Sequence, residues 1–163
     1  MLAKNAMNRN PPKIHDKATI KEAAEMMALT QAGELVVVEA NGRVSGMVGA
    51  DEILRYLIPE YDEILARGGY PSRLTPQRRS TDTLPRMKVR QLMRIVETPL
   101  DPEQTLESAL GMLLKEGGRP LPVISGGKLV GSLSTADIAR SLMWRDRVSP
   151  SSLRPLEERR KDI

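Results

Sequence analysis

One pattern of helix caps, apolar faces and glycine turns occurs twice in this chain, and the repeat constrains the fold more than any other feature. In the first copy, Thr19 precedes apolar residues at positions 20, 23, 24 and 27, the spacing of one helical face. An apolar run at 35–38, the turn sequence Asn41-Gly42 and a return run at 43–48 follow. This order predicts a helix, a β-hairpin and a second helix that begins near Gly49.

The second copy follows the same order from Thr105 onward. Apolar residues at 106, 109, 110 and 113 form its helical face, and predicted strands at 121–124 and 128–133 flank a glycine pair. One amphipathic helix and one hairpin cannot bury their apolar surface alone, whereas two copies packed sheet against sheet can. We therefore expect an α/β (α+β) module with pseudo-twofold symmetry and a cleft between its repeats.

The repeats set the expected boundaries along the chain. The first repeat is placed at residues 1–58 and the second at 87–148, with a basic insert at 59–86 and a flexible tail at 149–163. A short helix is expected near 61–66. The remainder of the insert is rich in Pro, Ser, Thr and Arg without any period, which predicts a mobile surface loop.

Composition excludes several classes of function. The chain has no Cys and a single histidine, His15, so thiolate catalysis and a multi-histidine metal site are excluded. It also lacks a Walker-type glycine loop. We expect no catalytic residue, no bound metal, no required cofactor and no enzymatic activity. Because no apolar run approaches the roughly 20 residues of a membrane span, a soluble cytoplasmic protein without a membrane partner is expected.

Ser134 and Asp137 stand three residues apart at the predicted start of the last helix. This spacing has two interpretations. The pair can be a capping box that satisfies the N–H groups of the helix itself. Alternatively, a hydroxyl, a carboxylate and the positive end of a helix can bind a polyhydroxylated, anionic small molecule. The first repeat has Gly49 and Glu52 at these positions, which retains a cap but loses the hydroxyl.

The segment 130–138, Val-Gly-Ser-Leu-Ser-Thr-Ala-Asp-Ile, resembles the signature of CBS domains. Pro122-Val123, the lead at 89–93 and a matching lead at 4–7 add to the resemblance. The chain is therefore identified as a stand-alone tandem CBS pair, also called a Bateman module. The resemblance implies that each repeat has the order β-α-β-β-α and that ligands bind in the clefts between the repeats.

In this family the ligands are adenosine compounds such as AMP, ADP, ATP or S-adenosylmethionine. The resemblance assigns Asp137 and Ser134 to the ribose. It assigns the other contacts as follows: Thr98 and Leu100 near the adenine, Val123 and Leu133 as apolar wall, and Arg119 at a phosphate. Glu52, with Asp51 beside it, marks a weaker site in the first repeat.

The expected function is a regulatory module that senses an adenosine compound and acts on a partner protein, as a homodimer of stacked pairs. Two alternatives remain at this point. The segment 67–94 carries eight Arg and Lys residues and one acidic residue, so it can contact nucleic acid or an acidic partner. A structural dimer that binds no ligand is the other alternative.

Overall fold

A computed structural model describes residues 1–68 and 78–144 of the 163-residue chain, with the backbone alone for 78–80. The expected tail at 149–163 and the part of the insert at 69–77 lie outside the described residues. The elements are, in chain order, α1 (Ala3–Ala6), β1 (Lys13–His15), α2 (Ile20–Thr30), β2 (Glu34–Val38), β3 (Val44–Gly49), α3 (Ala50–Leu57), α4 (Tyr61–Arg67), α5 (Arg78–Thr83), a 3₁₀ turn (Leu84–Arg86), α6 (Val89–Leu92), α7 (Leu106–Lys115), β4 (Leu121–Ser125), β5 (Lys128–Leu133) and α8 (Thr135–Trp144).

Each repeat is built on one antiparallel hairpin, as predicted. In the first repeat β2 pairs with β3, and β1 adds a parallel third strand against β2. In the second repeat β4 pairs with β5, and a single parallel bridge between Leu100 and Val123 stands where a first strand is expected. The molecule is therefore an α+β fold of two related units, one with a complete first strand and one with a single bridge in its place.

The helix starts also agree with the sequence pattern. Thr19 Oγ1 accepts a hydrogen bond from the N–H of Glu22 at 3.2 Å, and the Glu22 carboxylate accepts one from the Thr19 N–H at 2.6 Å. Thr105 Oγ1 accepts from the N–H of Ser108 at 3.2 Å. These bonds satisfy donors that the first turn of a helix leaves without partners, so both caps are confirmed.

The short helix before each repeat packs into the core of the other repeat. Ala3 and Ala6 of α1 are buried with Leu113, Leu121 and the other core residues of the second repeat. Val89 of α6 is buried in the core of the first repeat. Backbone hydrogen bonds hold both docked leads, from Ala3 N to Gln104 O at 2.9 Å and from Val89 N to Ala18 O at 2.8 Å. The lead helix of each repeat thus completes the core of the other repeat, and we call α1 and α6 the exchanged leads.

Contacts between equivalent residues locate the pseudo-twofold axis. Glu34 and Arg119 occupy equivalent places in the two repeats and form an ion pair, and Arg43 and Lys128, also equivalent, form a backbone bridge. A residue can contact its own counterpart only near the axis that relates them. The Glu34–Arg119 pair therefore lies between the two clefts.

The prediction of a mobile loop up to residue 86 is wrong for its last part. Residues 78–86 form α5 and the 3₁₀ turn, and Leu84 is 3% exposed in the core of the first repeat. Leu84 packs with the helical face of α2 and α3 and borders a groove of 370 Å³ together with Ile20, Ala24 and Leu57. A single buried leucine holds this segment, and one apolar residue produces no period in the sequence.

Within residues 1–68 and 78–144, none of the helices combines the length and apolar character needed to cross a membrane.

Candidate functional site between the repeats

A cavity of 260 Å³ opens between the two repeats and contains Ser134 and Asp137. Both repeats contribute to its wall: Asn8, Pro11, Pro12, Glu34 and Met47 come from the first, and Pro120, Ser132, Ser134 and Asp137 from the second. The bridge between Asn8 and Ser132, with N···O distances of 2.8 and 2.9 Å, holds the two sides together. We call this space the Asp137 cavity.

Ser134 and Asp137 form a reciprocal cap at the start of α8. Asp137 Oδ2 accepts from the Ser134 N–H at 3.0 Å and from the Ser134 hydroxyl at 2.7 Å, and the Asp137 N–H donates to Ser134 Oγ at 3.1 Å. The other carboxylate oxygen, Oδ1, lies 3.3 Å from Arg140 Nη2. The capping interpretation is therefore realised in the geometry, and it uses only one of the two carboxylate oxygens.

In the equivalent cleft of the first repeat, the capping carboxylate is engaged by a side chain from across the cleft. Glu52 caps α3 by accepting from the Gly49 N–H at 2.8 Å, and both oxygens of Glu52 lie 2.9 Å from Arg119 Nη2. Arg119 Nε donates to Glu34, and Arg94 Nη2 lies 3.1 Å from Glu34 Oε2. We call Glu34, Glu52, Arg94 and Arg119 the ion cluster.

The ion cluster is largely shielded from water. The Glu34 side chain is 9% exposed and the Arg119 side chain 23% exposed. Burial disfavours the charged guanidinium of Arg119, but its hydrogen bonds to Glu34 and Glu52 outweigh burial and raise its pKa. Two carboxylates and two guanidiniums therefore neutralise one another in a space that the symmetry of the fold makes equivalent to the Asp137 cavity.

The structure brings together only Ser134 and Asp137 among the predicted ligand contacts of the second repeat. Thr98 lines a separate cavity of 190 Å³, together with Met112 and Lys115. Arg119, predicted at a phosphate, is engaged by Glu34 and Glu52. The predicted apolar contacts are 1% exposed or less and belong to the second core: Leu100, Val123 and Leu133.

The weaker site predicted in the first repeat is committed to internal contacts. Glu52 is bound by Arg119, and Asp51 Oδ1 accepts from the Tyr61 hydroxyl at 2.6 Å. This bond to Asp51, more than burial, raises the pKa of Tyr61. Both acids therefore stabilise α3 and its surroundings.

The exchanged leads explain why Thr98 is not at the Asp137 cavity. Pro12 is the first-repeat counterpart of Thr98, and it is Pro11 and Pro12 that line this cavity. A pseudo-twofold pair builds each cleft from both repeats, so the segment that faces Asp137 comes from the other copy. For the same reason, the sequence patterns did not assign Asn8, Glu34 or Met47 to this cavity. The similarity between the leads at 4–7 and 89–93 was the signal in the sequence that could have indicated them.

Among the described residues, no group of three or more His, Cys, Asp or Glu side chains is arranged to hold a metal ion.

Comparison with known structures agrees with this architecture. CBSX2, solved in complex with AMP, is 21% identical, with a TM-score of 0.68 over 90% of this chain and 98% of that chain. A putative acetoin utilization protein (AcuB) from Vibrio cholerae is 18% identical, with a TM-score of 0.67 over 92% and 98% of the two chains. The CBS domain of a membrane protein from Sphaerobacter thermophilus is 21% identical, with a TM-score of 0.63 over 86% of each chain.

Two curated proteins match shorter parts of the chain. A homoserine O-acetyltransferase of Methanocorpusculum labreanum is 33% identical over 64 residues, and a CBS domain-containing protein of Dictyostelium discoideum is 40% identical over 52 residues. These matches cover 39% and 32% of this chain, which spans 13% and 36% of the respective relatives. The CBS domain family model matches residues 3–59 and 89–143, the two units that share the exchanged leads and the pseudo-twofold axis. The chain thus belongs to the CBS-domain family and carries a tandem pair of these domains.

Proposed function

We propose that this CBS pair is a regulatory module that binds one adenosine-containing small molecule in the Asp137 cavity and acts on a partner protein. The observation that carries the proposal is the difference between the clefts. One cleft holds a cavity with a hydroxyl and a carboxylate at a helix start, whereas in the other the ion cluster engages the equivalent carboxylate, Glu52. The AMP bound to the structurally similar CBSX2 supports an adenosine ligand.

The geometry of Asp137 suits a ribose. Its Oδ2 remains bound to the cap, while Oδ1 faces the exposed guanidinium of Arg140. The two ribose hydroxyls can donate to Oδ1 in place of Arg140, whose side chain is 60% exposed and whose Nη2 also donates to the Ala6 carbonyl. Hydrogen bonds to a charged carboxylate contribute more than bonds between neutral groups.

One ligand per chain follows from the ion cluster. Arg119 donates to both oxygens of Glu52, the counterpart of Asp137, so a ribose entering the first cleft would have to displace a partly buried guanidinium. Removing that cation would leave Glu34 and Glu52 without their shared partner, which is costly in a shielded space. Arg119 thus serves as a built-in occupant of the first cleft.

A ligand in the Asp137 cavity touches both repeats, since residues from each line its wall. If one packing of the repeats binds the ligand better, occupancy shifts the population toward that packing. A partner protein that contacts both repeats can detect this shift. Such a response requires no catalytic group in the module, and we propose that it has none.

We propose further that two copies associate through the helices of the second repeat. The chain's own Leu84 covers part of the helical face of the first repeat and leaves an apolar groove beside it. On α7 and α8 of the second repeat, four large apolar side chains are exposed: Leu114, Leu142, Met143 and Trp144. A second copy that covers this face would bury an apolar surface of which the first repeat buries a part within the chain.

The basic segment 67–94 gives less support to a nucleic-acid function. Arg94 belongs to the buried ion cluster, and Arg67 lies 3.5 Å from Glu63. Exposed cations remain at Arg86, Lys88 and Arg90. The described cations of the segment are therefore divided between an internal contact and the surface, whereas a phosphate-binding face requires its cations on one side.

Calorimetry of the full chain with adenosine, AMP, ADP, ATP and S-adenosylmethionine tests the ligand proposal. We expect at least one compound to bind with one site per chain. Asp137→Asn keeps an acceptor for the cap but loses the carboxylate charge, so the affinity should fall about tenfold or more.

Thr105→Ala is the matched control, because it removes a helix cap in the same repeat without touching the cavity. Its affinity should equal that of the unmodified chain. The proposal fails if no adenosine compound binds at millimolar concentration, or if Asp137→Asn binds as tightly as the parent.

A further inference from the structure

We propose that Glu34 sets the charge of the ligand that the Asp137 cavity accepts. The cavity then favours adenosine compounds without a phosphate, either neutral or with a positively charged 5′ substituent, over AMP and larger nucleotides. This inference rests on the proposed function and adds the charge class of the ligand, together with the residue that selects it.

The charged residues that line the cavity are the first support for this inference. The described residues that line it include two carboxylates, Glu34 and Asp137, and neither Lys, Arg nor His. A phosphate binds where unpaired cations or a cluster of N–H donors offset its charge. At this cavity the N–H groups of Ser134 and Asp137 at the start of α8 already donate within the cap.

The buried cations next to this wall are engaged by Glu34. Arg119 Nε and Arg94 Nη2 both donate to the Glu34 carboxylate, and Arg119 is shared with Glu52. Arg94 also donates to the Pro120 carbonyl. Glu34 forms part of the wall of the Asp137 cavity, whereas Arg94 and Arg119 are not among its lining residues, so a phosphate in the cavity would contact a carboxylate and neither guanidinium.

Glu34 is paired with Arg94 and Arg119, but of these three side chains only Glu34 lines the cavity, so a phosphate there would face the negative side of the ion pairs. The Glu34 side chain is 9% exposed, so water and salt screen the field of these pairs less than they would at the surface. Arg140, which faces Asp137, is the described cation that opposes the selection. Its side chain is 60% exposed, so physiological salt screens its attraction for a phosphate more than it screens the buried Glu34.

The size of the cavity agrees with a small ligand. Its 260 Å³ lies just below the range of roughly 300–1,000 Å³ found for small-molecule sites. A nucleoside fits such a volume better than a nucleoside triphosphate does. Volume and charge therefore point to the same class of ligand.

Calorimetry with adenosine, AMP and 5′-amino-5′-deoxyadenosine separates charge from shape, because the three share the nucleoside and differ at the 5′ position. For the full chain at physiological salt, AMP should bind about tenfold or more weakly than adenosine, and the amine at least as tightly as adenosine. Glu34→Gln retains size and an acceptor but leaves an excess positive charge on Arg94 and Arg119. The AMP-to-adenosine affinity ratio should then rise about tenfold.

Glu116→Gln is the control, because Glu116 also faces Arg94, at 3.6 Å, but is half exposed and lies outside the cavity wall. Its affinity ratio should match that of the unmodified chain. AMP binding as tightly as adenosine in the unmodified chain would overturn the inference and leave the proposed function standing. An unchanged ratio in Glu34→Gln would likewise overturn the role of Glu34. If none of the three binds, this inference fails, and the proposed function is decided separately by ADP, ATP and S-adenosylmethionine; if Glu34→Gln does not fold, the ratio in the unmodified chain decides.

Discussion

The two clefts of this CBS pair share one backbone plan and differ in the length of a few side chains. Equivalent backbone bridges, Asn8 with Ser132 and Met47 with Arg94, close both clefts at the same place. The second-repeat cleft carries Asn8 and Asp137 and holds the Asp137 cavity, whereas the first carries the longer Arg94 and Glu52 in their places. In the first cleft Arg119 joins Glu52 to Glu34.

This comparison separates capping from binding. Glu52 caps its helix by accepting from the Gly49 N–H, as Asp137 does from the Ser134 N–H. The first cleft nevertheless has a guanidinium where the second has open space. A helix cap is therefore compatible with either outcome, and the residues across the cleft decide between them.

The largest expected effect comes from removing the built-in occupant of the first cleft. Arg119→Ala leaves Glu34 and Glu52 shielded without their shared cation, and the free energy of unfolding should fall by about 3 kcal/mol. Urea unfolding measures this loss. Arg67→Ala breaks an exposed pair with Glu63 and should cost about 0.5 kcal/mol or less. Equal losses in the two variants would contradict a stabilising ion cluster.

The covered helical face of the first repeat gives the next effect. Leu84→Ala empties a buried site against α2 and α3, so the free energy of unfolding should fall by about 2–3 kcal/mol. Leu65→Ala, at an exposed position of α4, serves as the control and should change it by about 0.5 kcal/mol or less. A similar, small effect of both would mean that the segment 78–86 does not stabilise the fold.

Exchanging the cap residues between the clefts sharpens the comparison further. A Cβ at position 49 would lie 2.9 Å from Glu34 Cγ and 3.0 Å from Glu52 Oε2, so Gly49→Ser should destabilise by about 1 kcal/mol despite adding a cap. Ser134→Gly should cost only a few tenths of a kcal/mol, since glycine is tolerated at the N-cap. Thermal unfolding compares the two. A stabilised Gly49→Ser variant would show that the first cleft has room for the signature hydroxyl.

The smallest expected effect on the free energy of unfolding concerns its pH dependence and follows from a difference between the caps of α2 and α7. Backbone and side-chain hydrogen bonds from Thr19 lower the pKa of Glu22, whereas α7 has Ser108 at the same place. A lowered pKa stabilises the fold at pH values above the ordinary carboxyl range. This stabilisation is lost as the pH falls through the folded value. Glu22→Gln should therefore flatten the stability profile between about pH 5 and pH 3.

Urea unfolding across that pH range checks the last prediction. Glu25→Gln removes another exposed acid from α2 and controls for the general loss of one charge. If the dependence of stability on pH flattens equally in both variants, the capping box has no special role in it.

Local patterns in the sequence predicted the caps and hairpins correctly because each depends on residues a few positions apart. Thr19 with Glu22 and the turn at Gly42 are of this kind. The partners of Arg119, in contrast, lie 85 and 67 positions away, and no pattern in a single chain reports such a pairing. Glu34 was therefore overlooked, and Arg119 was assigned to a phosphate although it is bound by two carboxylates.

The exchanged leads determine the order in which the molecule can be completed. Ala3 docks on Gln104, about 100 residues later in the chain. The first repeat in turn lacks Val89 until synthesis has passed the insert that follows it. Neither repeat can finish its core as the ribosome produces it, so the pair should acquire its stability late and in one cooperative step, and a fragment that begins after α1 should leave the second core incomplete.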